Sequence, residues 1–200
     1  MGVVSQSGYE KGSQFDLAGN VTNQNAYANT TQGAYYDGTS DGRYNYGVDY
    51  VTGQVTQFDR NWSNSSALFQ LNAFQTYPWI TMNAADGSFW LGNYTTGGIE
   101  HYSHAGGFLG SFNTGLGQYN MTGLAFDSAD GTLWMSSFNN ANTLYQFDQA
   151  GNFLQSDVYT NTRAWYGMEF DAGNSAVPEP ASLTALGLGA VGLLRRRNRK

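Results

Sequence analysis

Cysteine is absent from the 200 residues. That excludes a disulfide framework, a thiolate metal site and a cysteine nucleophile. Two histidines leave little room for a histidine-based zinc site or a serine–histidine triad. No nucleophile elbow, phosphate-binding loop or dinucleotide fingerprint occurs, and no residue stands out as catalytic. Charged residues make up 12% of the chain, and Lys and Arg number nine. Five of those nine fall in residues 195–200. The first 176 residues hold only Lys11, Arg43, Arg60 and Arg163 against 14 acids, a charge of −10. Such a body cannot neutralise a phosphate backbone, so nucleic acid is not an expected partner. What the chain does have is 16% aromatic residues and 26 glycines. Aromatics suit a pleated surface and glycines its turns, so the expected class is all-β.

The cationic end is a separate device. Pro178-Glu179-Pro180 precedes an uncharged run, residues 181–194, and then a cluster with Arg195, Arg196 and Arg197. Pro180 can occupy the first turn of a helix and stops structure arriving from upstream. As a helix the 14 residues reach about 21 Å, short of a hydrocarbon core of about 30 Å. A cationic block directly after the run anchors on the cytoplasmic side, and arginine stems can snorkel to lengthen the span. The three parts together resemble a PEP-CTERM sorting signal of Gram-negative bacteria that make extracellular polysaccharide. The resemblance implies export, transient retention in the inner membrane through the C-terminal helix, and processing by an exosortase-type membrane protease near the Pro-Glu-Pro motif. The destination would then be the cell surface or extracellular matrix. Residues 1–13 carry neither the basic start nor the apolar stretch of a signal peptide. The expected division is a body over 1–175 and a sorting signal over 176–200.

The body repeats at about 44 residues. Asp-Gly opens at Asp41, Asp86 and Asp130. A pair of an aromatic and a polar residue stands at Phe15-Asp16, Phe58-Asp59, Tyr102-Ser103 and Phe147-Asp148. Asp37, Asn83, Asp127 and Asp171 are read as opening an acidic turn, at intervals of 46, 44 and 44. In the clearest unit the spacing predicts strands near 122–126, 132–137, 143–147 and 152–159. Four strands per unit of this length are the pattern of a propeller blade. The units resemble NHL-type repeats over residues 3–173. The chain start matches strands two to four of a blade, and residues 165–171 match strand one. The expected architecture is therefore a β-propeller of about four four-stranded blades, three whole and one split between the termini. An open fragment of a larger propeller is the alternative.

Propeller geometry gathers the loops before strand one and between strands two and three on one face. Those loops place Tyr77, Trp79, Tyr119, Arg163, Trp165 and Tyr166 there, with Tyr46, Tyr50, Tyr94, Phe138, Asn139 and Asn140 beside them. Aromatic rings stack on apolar sugar faces and amides read hydroxyls, so extracellular polysaccharide is an expected ligand. Packing between blades also consumes aromatics. The aspartates read as residues of side-chain-capped turns. His101 and His104 would point to opposite faces of a strand, so no metal site and no cofactor are expected. The leading functional reading is a non-catalytic binding module. Its rival follows from the NHL resemblance, because some such propellers are metal-dependent lactonases or lyases. For that rival the inner strands offer Asn83, Asp127, Glu169 and Asp171.

Overall fold

A computed structural model describes residues 11–15, 18, 20–28, 35–160 and 166–170. All fourteen elements among them are β-strands. Residues 1–10, 161–165 and 171–200 lie outside the described part. So do the expected second strand near the chain start, Arg163, Trp165, and the whole C-terminal segment with Pro178, Glu179, Pro180, Arg195, Arg196 and Arg197.

Three four-stranded antiparallel meanders follow one another. The first holds β3 (Tyr35–Ser40), β4 (Asn45–Asp49), β5 (Gln54–Phe58) and β6 (Ser66–Gln70). The second holds β7 (Trp79–Asn83), β8 (Ser88–Asn93), β9 (Gly98–Tyr102) and β10 (Phe108–Asn113). The third holds β11 (Met121–Asp127), β12 (Thr132–Ser137), β13 (Thr143–Phe147) and β14 (Phe153–Val158). Before them, β1 (Lys11–Phe15) pairs with β2 (Val21–Ala28) as a separate two-stranded sheet. First strands of successive sheets touch, β3 with β7 and β7 with β11. Fourth strands lie outermost, and every residue of β14 is exposed. This is the arrangement of propeller blades.

Two apolar layers fill the gaps between sheets. Tyr46, Val48 and Val55 of the first sheet meet Ile80, Met82, Phe89 and Leu91 of the second. Trp79, Trp90 and Ile99 on the opposite face of the second sheet meet Leu124, Phe126, Leu133 and Met135 of the third. Strand alternation makes this possible, because neighbouring residues serve different gaps. The histidines obey the same rule. His101 stacks on Trp90 at 3.8 Å and His104 on Phe89 at 5.7 Å, so they sit on opposite faces of the second sheet.

The repeat has a physical cause at each marker. The rings of Phe58 and Phe147 are buried, and the Asp that follows caps the next turn. Asp59 Oδ1 accepts the amides of Asn61 and Ser63 at 2.9 and 2.8 Å. Asp148 Oδ1 accepts those of Ala150 and Asn152 at 2.9 and 2.8 Å. In the second sheet Ser103 Oγ takes this place, accepting the Gly107 amide at 2.9 Å. Glycine is required where these turns close on the neighbouring blade. Gly151 has φ 85°, and a Cβ there would lie 2.4 Å from the Phe112 ring.

One marker is corrected. Asn83 and Asp127 end their strands and cap the turn after them, through Ala85 N at 3.1 Å and Ala129 N at 2.9 Å. Asp37 is instead the third residue of β3. The turn after β3 is capped by Asp41, which accepts the amides of Arg43 and Tyr44 at 2.7 and 2.6 Å. The first interval of 46 residues, two longer than the others, marked this mismatch.

Candidate functional site

One end of the blades carries a run of aromatic contacts that passes from exposed rings into the core. Tyr50 meets Tyr36 at 4.7 Å, Tyr36 meets Trp79 at 6.1 Å, and Trp79 meets Tyr166 at 6.1 Å. Tyr166 then meets Phe138 at 5.4 Å, and Tyr94 meets Tyr119 at 5.4 Å alongside. Tyr119 and Tyr166 are 56% and 55% exposed, and Phe138 is exposed with them. Burial, with Tyr94 and Tyr36 as neighbours, raises the Tyr166 hydroxyl above the usual tyrosine pKa. The loops that present these rings are tied together. Asn120, buried, accepts the Phe138 amide on its carbonyl at 2.8 Å and the Asn139 amide on Oδ1 at 2.9 Å. Its own Nδ2 donates to Leu116 O at 2.6 Å. Asn139 and Asn140 stand exposed beside the rings.

Two of the residues expected on this face are placed elsewhere. Tyr77 is 0% and Trp79 2% exposed. Trp79 belongs to the layer between the second and third sheets, and its Nε1 donates across the gap to Met121 O at 3.1 Å. Tyr77 donates its hydroxyl to Gln75 Oε1 at 2.6 Å and Glu100 Oε2 at 3.1 Å. Asn93 and Tyr102 complete that network by donating to Glu100 at 2.7 and 2.6 Å. Both rings are packing groups, as is Tyr46, 1% exposed between the first two sheets. The reason is that β7 begins at Trp79, so a residue expected in a loop already alternates into the core.

A second feature lies where β3 meets the segment 166–170. A cavity of about 320 Å³ opens there, lined among others by Tyr36, Asp37, Thr39, Trp62, Tyr166 and Glu169. Thr81, fully buried, accepts the Phe126 amide at 2.9 Å and donates to Glu169 Oε1 and Oε2 at 3.0 and 3.1 Å. Glu169 is exposed as a residue, while its carboxylate is held against the buried Thr81. Burial pushes that carboxyl up to about 8, against the pull of the Thr39 and Thr81 hydroxyls and the Phe170 amide. Thr39 Oγ1 lies close enough to exert that pull but makes no hydrogen bond of ordinary geometry. Asp37 is 6% exposed. Burial and then the charge of Glu169 hold it well above the usual carboxylate range, opposed by the Gly38 and Ile80 amides. Of the four inner residues picked from sequence, Glu169 reaches this place, Asn83 and Asp127 cap turns, and Asp171 lies outside the described residues. Asp37 joins Glu169 there, although its spacing reads as that of a turn acid, and no motif in the sequence marks Trp62.

The two raised carboxyls set a pH dependence. The native state holds protons there that the unfolded chain releases near pH 4, so stability falls as pH rises from about 4 towards 8. His101 works the other way below about pH 6.5, since burial lowers its pKa, and comparison with a variant cancels it. Asp37→Asn should melt about 3 °C or more above the parent at pH 8, where roughly 2–4 °C corresponds to 1 kcal/mol, and gain less at pH 5. Parallel melting curves for the two proteins across that range would refute the assignment.

Among the described residues no group of three or more His, Asp or Glu converges as a metal site. None of their elements is a helix long and apolar enough to cross a membrane.

The fold defines a class first: an all-β chain of consecutive propeller blades. Over 85% of its length it superposes on nidogen from a nidogen/laminin complex, with a TM-score of 0.62 and 17% identity. Over 86% it superposes on a protein of unknown function from Bacteroides caccae, with a TM-score of 0.54 and 13% identity. It spans 65% and 62% of those two chains, less than two thirds of either. At these identities the likeness is one of fold. No curated protein matches the sequence. Residues 176–200 match the PEP-CTERM protein-sorting motif. The motif marks an exported cell-surface protein processed by an exosortase.

Proposed function

We propose that the protein is a non-catalytic binding module of the cell surface or extracellular matrix, with polysaccharide as its ligand. In this reading the blades close into a ring of about four, three whole and one split between the termini. The tail holds the chain briefly in the inner membrane before it is cut. The observation that carries the ligand is the exposed aromatic track of Tyr119, Phe138 and Tyr166, flanked by Asn139 and Asn140. Rings held by hydrogen-bonded loops lose little freedom on binding, which favours affinity. Arg163 and Trp165 join the site by their place in the sequence. The charge of −10 on the first 176 residues repels polyanions at ranges of about 8 Å at physiological salt, so a neutral polymer is the better fit.

Tyr119→Ala should weaken retention on a neutral polysaccharide about fivefold, from roughly 1 kcal/mol per stacked ring. Its melting temperature should stay within about 2 °C of the parent, because the ring is exposed. Unchanged retention in both Tyr119→Ala and Tyr166→Ala would remove the track as the binding surface.

A further inference from the structure

Repeat positions in a propeller serve the blade, so departures from the repeat are where a blade carries something else. Two departures meet at the cavity beside β3. Asp37 puts a carboxylate in mid-strand. The loop between β5 and β6 spans seven residues, 59–65, where its counterparts after β9 and β13 span five, 103–107 and 148–152. The longer loop carries Trp62, in the left-handed region at φ 55°. Asp59 holds the loop through Asn61, Ser63 and Asn64. The Trp62 ring lies on Gly38, where a Cβ would come within 2.3 Å of it.

Eight buried side-chain polar atoms among the described residues have no hydrogen-bond partner, and three belong to this cavity. They are Asp37 Oδ2, Thr39 Oγ1 and Trp62 Nε1. Buried polar groups normally find partners, so a concentration of orphans in one place points to a missing partner. Asp37 Oδ2 offers an acceptor, Trp62 Nε1 a donor, and the Thr39 hydroxyl can serve as either. Among the described residues, no Lys, Arg or His lines the cavity. Aromatic walls from Tyr36, Trp62 and Tyr166 surround the acids, the setting in which organic cations are attracted to ring faces.

We propose that this cavity binds a protonated amine on a hydroxyl-bearing ring, as in an amino-sugar unit. The ammonium donates to Asp37 Oδ2 and Thr39 Oγ1, with Glu169 as the second countercharge. A ring hydroxyl accepts from Trp62 Nε1. About 320 Å³ is within the range of small-ligand sites. A bound cation offsets the repulsion between two neighbouring carboxylates, which cannot both ionise cheaply by themselves. The site shares the Tyr36 and Tyr166 rings with the aromatic track but not Tyr119 or Phe138, and its polar groups do not depend on the polymer reading.

The test uses the full chain with D-glucosamine, N-acetyl-D-glucosamine and D-glucose as probes, read by titration calorimetry and by the indole N–H resonance of Trp62. Glucosamine should shift that resonance and bind at least tenfold more tightly than either neutral sugar. Asp37→Asn should weaken glucosamine at least tenfold while melting no lower than the parent. Trp62→Phe, which keeps a ring and removes the donor, should weaken all three probes yet preserve the order. Equal binding of glucose and glucosamine overturns the amine reading, as does an unmoved Trp62 resonance or full binding by Asp37→Asn. Retention of the parent on neutral polymer, measured beside it, keeps the two sites apart, since either can fail while the other stands.

Discussion

Trp79→Ala should cost the protein about 3–5 kcal/mol, the range for emptying a buried aromatic site. The ring is packed between the second and third sheets among Trp90, Ile99, Leu124 and Met121. Its Nε1–H bond to Met121 O ties the two sheets directly, and removing it leaves a buried carbonyl without that donor. At roughly 2–4 °C per kcal/mol, the melting temperature should fall by about 6–20 °C. Urea titration should show a lower midpoint with a similar slope. Any loss of polysaccharide retention should follow the unfolded fraction alone. A variant that keeps its stability and loses only binding would return Trp79 to the surface site from which its burial removes it.

Deleting residues 177–200 should change where the protein goes. With the same export leader upstream of both forms, the full chain should pass through a membrane-associated stage and then lose its tail. The truncated chain should be released at once as a soluble body. If the cationic cluster with Arg195, Arg196 and Arg197 is the cytoplasmic anchor, replacing these three by Ser should weaken retention even with Pro178-Glu179-Pro180 intact. Identical partition of all three forms would show that the segment does not sort the protein.

Architecture was legible because the repeat is physical. The Phe58-Asp59 and Phe147-Asp148 pairs each join a buried ring to a turn cap. The expected strands near 122–126, 132–137, 143–147 and 152–159 correspond to β11, β12, β13 and β14 within two residues at each end. The site was less legible. Whether an aromatic at a strand start faces core or solvent turns on one residue of register. Trp79 and Tyr119 look alike in sequence, yet one is buried and the other exposed. Asp37 was hidden by its resemblance to the turn acids, and only the 46-residue interval signalled otherwise. Trp62 lay in a loop whose two extra residues show only once β5 and β6 are bounded.

The central claim is that a bladed body reaches the cell surface by way of its C-terminal signal. The intact mass of protein recovered from the surface of exosortase-competent cells tests it most directly. The predicted result is a chain ending near Pro178-Glu179-Pro180, without residues 181–200, and an uncut chain when the exosortase is deleted. A surface protein that still ends at Lys200 in competent cells would contradict it.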